Sequence, residues 1–182
     1  MADTGKDENG GRTYWIPTLT SQLGYNYRSN GTVWHKGIWR CPAVHSEGAL
    51  GEQFLSYGYN AFGLGTNIDA LGLGGRFSTE HKPFVKESDI VNPSEMMAIG
   101  DGYDGNGSQI FSGHGLLWRR HDSYWGTETP IVDVRHQGKA NVVFCDGHVE
   151  SPTLEYLFTG TNDANLGRWN RDHQPHRGLL QP

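Results

Sequence analysis

The stretch between His114 and Trp125 holds the densest collection of side chains that could carry out chemistry. Its twelve residues include two Arg, two His, one Tyr and two Trp. An Arg guanidinium pairs with a carboxylate through two hydrogen bonds, and aromatic faces stack on sugar rings. A His or Tyr can remove the proton next to a carboxylate. These groups are the ones that a polysaccharide lyase uses for β-elimination on a uronic-acid glycan.

We therefore predict that this loop binds, and as a lyase would cleave, an acidic polysaccharide. Arg119 or Arg120 would hold the uronate carboxylate, and His121 or Tyr124 would act as base or acid. His114 is a further catalytic candidate, and the predicted sugar contacts are Trp118, Trp125, Tyr57, Tyr59, Arg168 and Trp169. The alternative is a charged aromatic loop that packs on a sheet or contacts a neighbouring subunit.

A second candidate site begins at Asp101, where oxygen-bearing side chains alternate with glycines. Asp101, Asp104 and Asn106 could offer oxygen ligands to calcium. The stretch lacks the glutamate that ends an EF-hand loop, so a series of solvated turns is the alternative. Calcium is the cofactor that this pattern indicates.

Cys41 and Cys145 are the only cysteines of the chain. They could form a disulfide, which is stabilising when it closes a long loop. They could equally be two small buried apolar residues. A zinc site is not expected, because neither cysteine has a Cys or His partner at a spacing typical of zinc ligands.

Short strands and long loops must position these residues. We predict a helix over 13–23 that ends at Gly24, and strands over 54–60, 96–101, 131–136, 141–145 and 148–151. Asp146-Gly147 is typical of a hairpin turn between the last two strands. A short helix is predicted from Ser151-Pro152 to Phe158. Residues 1–12 form a polar N-terminal segment, and 159–182 form an irregular C-terminal tail.

The composition limits the classes of partner. A chain of 182 residues is long enough for one domain with its own core, and 26 glycines indicate many loops. The net charge of −5 is not offset by a basic stripe, which argues against nucleic acid as a partner.

Four motifs, in order along 13–151, resemble a known family. They are Trp39-Arg40-Cys41-Pro42; Tyr57-Gly58-Tyr59-Asn60; Asn92-Pro93-Ser94-Glu95 followed by an apolar strand to Asp101; and His136 followed after nine residues by Asp146-Gly147. This order resembles the pilin-like proteins with a prepilin-type, processing-associated C-terminal signature, which are related to type II secretion pseudopilins.

The predicted elements indicate an α+β domain with a mainly antiparallel sheet, short helices and long glycine-rich loops. The resemblance implies that this domain is similar to the globular head of a pseudopilin. Members of that family carry an N-terminal anchor helix, which is missing here. We therefore expect a longer natural protein that is anchored in the membrane through that helix, outside the cytoplasm, with other pilin-like subunits as partners. An acidic-polysaccharide lyase and a structural or adhesive pseudopilin subunit both stay open.

The C-terminal signature itself has two interpretations. In the favoured one His136, Asp146, Gly147 and His148 are structural, and His136 is hydrogen-bonded to Asp146, which also caps the turn. The alternative is a small metal site formed by His136, Asp146 and His148.

Overall fold

A four-stranded antiparallel sheet organises the part of the chain that the computed structural model describes, namely residues 19, 22–24, 37–39, 41–43, 57–64, 71–74, 85–101 and 135–180. The strands are β1 (Tyr57–Tyr59), β2 (Met97–Asp101), β3 (Val142–Phe144) and β4 (Val149–Glu150), and they lie side by side in chain order. With its few short helices, the chain is a small α+β fold. None of the helices among these residues is long and apolar enough to cross a membrane.

Side-chain alternation along β3 explains its place in the sheet. Val142 and Phe144 are almost completely buried, whereas Val143 between them is 36% exposed. Successive side chains of a strand point to opposite faces, so one face of β3 belongs to the core. β3 lies between β2 and β4, so it is an internal strand of the sheet. The predicted hairpin at Asp146-Gly147 is confirmed, and Gly147 takes φ 93°, which glycine adopts without steric cost.

Two hydrophobic clusters pack against the sheet. The first joins buried residues of the sheet and of adjoining loops to the C-terminal segment, which we define as residues 151–180. Its members are Leu64, Met97, Ala140, Val142, Phe144, Leu154, Leu157, Phe158, Leu166 and Trp169. The second consists of Trp39, Tyr59, Ala61, Leu73 and Met96. Burial of Trp39 therefore attaches the segment just before Cys41 to the sheet.

The C-terminal segment is a packed part of the fold, so the predicted irregular tail over 159–182 is corrected. A π-helical turn spans Glu155–Thr159, helix α1 spans Asp163–Gly167, and a 3-10 turn spans Arg177–Leu179. The side chain of Asn162 caps α1 by accepting the N–H of Asn165 at 2.9 Å. A helix of five residues is too short to show a hydrophobic repeat, which is why the sequence pattern did not reveal it.

Other predicted elements are confirmed only in part. The helix predicted from Ser151 begins later, because Thr153 Oγ1 accepts the N–H of Tyr156 while Ser151 Oγ donates to Asn141 Oδ1. Of the strand predicted over 131–136, the structure describes only 135 and 136, which lie in a 3-10 turn at Arg135–Gln137 and not in a strand. Of the helix predicted over 13–23, the structure describes 19, 22 and 23, of which 19 and 22 are helical.

Two buried asparagines join the C-terminal segment to the rest of the fold. Asn60 Nδ2 donates to the main-chain oxygens of Met97 and Trp169, at 2.9 and 3.0 Å. Asn170 Oδ1 accepts the N–H of Leu64 at 3.0 Å. Buried main-chain groups are costly when they lack a partner, so these amides stabilise the junction.

Candidate metal centre

Three donor atoms from distant parts of the chain lie together at one end of the sheet. They are Cys41 Sγ, a carboxylate oxygen of Asp101 and a ring nitrogen of His136, and all lie within 4.8 Å of one another. His136 Nε2 is 3.2 Å from Cys41 Sγ and 3.5 Å from Asp101 Oδ2. Among the described residues, no other group of three His, Cys, Asp or Glu side chains is arranged in this way.

The strand register positions Asp101. This residue ends β2 and pairs with Tyr57 of β1. Its N–H donates to the main-chain oxygen of Asn141 at 3.0 Å, and its Oδ2 accepts the N–H of Asn141 at 2.7 Å. The carboxylate is thereby held against the chain that enters β3, with only 1% of the residue exposed.

An unusual backbone turn presents His136. The residues His136, Gln137 and Gly138 have φ values of 47°, 58° and 76°, all in the left-handed region. This conformation costs a residue other than glycine about 1–2 kcal/mol, and such strain concentrates at functional sites. The C-terminal segment holds the turn, because the Gly138 carbonyl accepts the N–H of Leu154 at 3.0 Å. The side chain of His136 is 24% exposed and can be reached from solvent.

Both cysteines are free thiols, so the disulfide, one of the two interpretations of the cysteine pair, is not formed. Cys41 follows a 3-10 turn at Gly37–Trp39, is 1% exposed and contacts His136. Cys145 packs beside the second cluster, and its N–H donates to the Met96 carbonyl at 2.9 Å. Burial raises the pKa of the Cys145 thiol to about 11. Only Cys41 is placed to act as a ligand.

Two of the three separations between the donors are close to those around a tetrahedral ion. Typical zinc bond lengths imply sulfur–nitrogen and nitrogen–oxygen separations of about 3.6 and about 3.4 Å between ligands of one ion. The corresponding distances here are 3.2 and 3.5 Å. Thiolate and imidazole ligands favour zinc and related transition ions over calcium, which prefers oxygen ligands alone. This group could hold a metal ion, and its donors do not indicate calcium. The expectation against zinc considered only local spacing, which does not detect ligands from distant segments.

A cysteine–histidine–aspartate relay for nucleophilic catalysis fits the geometry less well. In such a relay the carboxylate binds one ring nitrogen while the other faces the nucleophile. Here the thiol and the carboxylate both approach Nε2 of His136. Because both groups approach the same ring nitrogen, the imidazole is not placed between them as a proton relay requires.

Asp146 pairs with His148, whereas the sequence predicted His136 as its partner. Asp146 Oδ1 lies 2.6 Å from His148 Nδ1 and accepts the N–H of the same residue at 3.1 Å. These hydrogen bonds lower the pKa of Asp146 and raise that of His148. His148 Nε2 lies 3.3 Å from Glu150 Oε1, and the ring stacks on Phe144 at 4.4 Å. These contacts hold the Asp146–Gly147 turn without His136. The alternative metal site with His136 is not formed, because that ring lies beside Cys41.

Several predicted sugar contacts are engaged inside the protein. Trp169 is 0% exposed and its Nε1 donates to the Leu157 carbonyl at 3.3 Å. Tyr59 is 8% exposed, and burial raises the pKa of its hydroxyl. Tyr57 is half-buried against the second cluster. Burial argues against a stacking role for Trp169 and Tyr59, because a sugar ring has no access to their faces.

Arg168 belongs to an ion-pair network. Its Nη1 and Nη2 donate to the two carboxylate oxygens of Glu150 at 2.7 and 2.9 Å, and its Nε donates to Glu95 at 2.6 Å. The guanidinium lies 4.8 Å from the centroid of the Phe144 ring. These contacts attach the C-terminal segment to β4 and to the turn before β2. Because Glu95 and Glu150 already pair with the Arg168 guanidinium, it is not available to pair with a glycan carboxylate.

The remaining predicted site residues lie outside the described part of the chain. They are His114, Trp118, Arg119, Arg120, His121, Tyr124 and Trp125 of the glycan-binding loop, and Asp104 and Asn106 of the calcium stretch. Their predicted roles stay predictions.

Sequence reasoning missed this group of donors, although a signal was present. Cys41 and His136 are separated by 95 positions, so no local spacing connects them. Yet Cys41, Asp101 and His136 each belong to one of the four motifs that resemble the pilin-like family. Comparisons of the chain with family models, with curated proteins and with solved structures found no match.

Proposed function

We propose that this chain is a pilin-like domain that binds a transition-metal ion, with zinc as the best fit, through Cys41, Asp101 and His136. The observation that carries the proposal is that these three donors lie within 4.8 Å of one another, with the sulfur–nitrogen and nitrogen–oxygen separations close to those around a tetrahedral ion. A location outside the cytoplasm and other pilin-like subunits as partners belong to the same proposal and depend on the motif resemblance.

The charges of the donors support a divalent ion. A thiolate, a carboxylate and a neutral imidazole together balance the charge of Zn²⁺. Cys41 and Asp101 are each 1% exposed, and burying an anionic group is costly unless a cation accompanies it. An ion at this point would also cross-link three segments that are far apart in sequence. Its binding energy would then contribute to folding.

Metal stoichiometry and a cobalt spectrum test the proposal. We expect chelator-treated protein to take up one Zn²⁺ per chain, measured by mass spectrometry of bound metal. Co²⁺ should give the near-ultraviolet charge-transfer band of a cobalt–thiolate bond. At one hundred times the dissociation constant, zinc should stabilise the fold by about 2.7 kcal/mol.

Matched variants separate the centre from incidental metal binding. Cys41→Ser, Asp101→Asn and His136→Gln should each weaken Zn²⁺ affinity at least about tenfold, a loss of about 1.4 kcal/mol. The controls Cys145→Ser, Asp146→Asn and His148→Gln change the same residue types at the hairpin and should retain zinc affinity. Equal affinity in the two sets, or a cobalt complex without a thiolate band, would contradict the proposal.

Binding or β-elimination of an acidic polysaccharide by the loop from His114 to Trp125 stays a separate proposal from the sequence. Incubation with a panel of uronic-acid polymers tests the enzymatic form, through the ultraviolet absorbance of the unsaturated product. No product from any polymer would favour a structural or adhesive subunit.

A further inference from the structure

We infer that the ion at this centre keeps one coordination position open to solvent, and that this position takes a carboxylate oxygen of an exogenous ligand. The inference rests on the proposed function, because it requires the ion to be bound.

Unequal burial of the three donors indicates where the opening lies. Cys41 and Asp101 are each 1% exposed, whereas the side chain of His136 is 24% exposed. A Cβ placed on Gly138, two residues further along the same turn, would meet no atom within 4 Å. The turn therefore borders open space, and the ion is reached from the side of His136.

The ligand count supports an open position. Structural zinc sites are closed by four protein ligands, whereas catalytic sites use three and leave the fourth position to water or substrate. The described residues supply three donors of three different kinds. A mixed set with one partly exposed histidine resembles the second class.

The chemistry of the ion selects the ligand class. Zinc binds carboxylate oxygens at about 2.0–2.2 Å, so a carboxylate can replace a bound water. Water occupies the position by default, and an acid-bearing ligand displaces it. A uronic acid is a ligand of this class, which connects the centre to the acidic glycan expected from the sequence.

Titration of the Co²⁺-loaded full chain tests the inference, because the visible d–d bands of cobalt report directly on its ligands. The probes are sodium acetate and sodium galacturonate. The controls are galactose, which lacks the carboxylate of galacturonate, and sodium perchlorate, which matches ionic strength without coordinating. We expect saturable changes in the d–d bands with both carboxylates, no change with either control, and a retained thiolate band.

Three other results would overturn the inference in different ways. A cobalt–thiolate complex whose d–d bands ignore both carboxylates would show that the chain itself saturates the ion. That result would end the inference and leave the proposed function intact. A complex without the thiolate band would refute both. Loss of the thiolate band on adding acetate would show displacement of Cys41 and would also overturn the open position.

Discussion

Replacement of Asn60 is expected to cause one of the largest losses of stability in the described part of the protein. Asn60 is 0% exposed, and its amide serves three main-chain groups. Nδ2 donates to the carbonyls of Met97 and Trp169, and Oδ1 accepts the N–H of Gly63 at 3.0 Å. Asn60→Ala would leave all three groups without this partner. A buried group left without a hydrogen-bond partner costs about 1–3 kcal/mol, so we expect the free energy of unfolding to fall by about 3–5 kcal/mol after partial relaxation.

A second variant separates the contribution of the Asn60 amide donor from that of side-chain packing. Asn60→Asp keeps the shape of the side chain and the acceptor for Gly63, but it turns an oxygen towards the carbonyls of Met97 and Trp169. We expect it to be at least as destabilising as alanine at neutral pH, because a buried carboxylate is added. Asn141→Ala is the control, since the Asn141 side chain is exposed.

Urea and thermal unfolding, followed by circular dichroism, provide the measurement. A loss of about 3–5 kcal/mol corresponds to a fall in Tm on the order of 10 °C for a domain of this size. If Asn60→Asp were as stable as the wild type, the assigned hydrogen bonds would be wrong, and with them the junction between β2 and the C-terminal segment.

Three further predictions concern the turn, the ion pairs and the thiols. Gln137→Gly should stabilise the protein by about 0.5–1 kcal/mol in urea unfolding, because glycine relieves the left-handed strain at φ 58°; a loss would contradict the turn geometry. Hydrogen bonds from Arg168 lower the pKa of Glu150. The stabilisation of the fold by the Arg168–Glu150 ion pair is therefore complete above pH 4.5, the ordinary pKa, and is lost as the pH falls through the lowered pKa of the folded protein. The Tm difference between wild type and Glu150→Gln should therefore shrink on acidification below about 4.5, and a constant difference would refute the ion pair. Alkylation of the denatured, metal-free protein without reductant should label both Cys41 and Cys145, whereas an intramolecular disulfide would leave neither labelled.

Local chemistry was sufficient to predict the centre of the sheet. Apolar β-branched and aromatic residues around Val142 and Phe144 predict a strand, and Asp146-Gly147 predicts the turn that follows it. Both signals act within a few residues, so they need no knowledge of the rest of the fold. The strand ending at Asp101 was predicted on the same basis, although its neighbours in the sheet were not.

The candidate centre depended on interactions that no short window contains. Asp101 reaches His136 because β2 is paired with β3, and Cys41 reaches both because burial of Trp39 brings its segment to the sheet. The left-handed turn at His136 is equally a product of context, since a histidine adopts φ 47° only when surrounding contacts hold it there.

The sequence by itself determined the α+β class, the hairpin and the residue types available for chemistry, because these follow from side-chain size, polarity and local turn preference. Only the tertiary structure decided which of those residues meet. It buries Trp169 in the core, pairs Asp146 with His148, and places Cys41 beside Asp101 and His136. The physical reason is that burial and strand register act between positions far apart in the chain, whereas sequence periodicity records only neighbours.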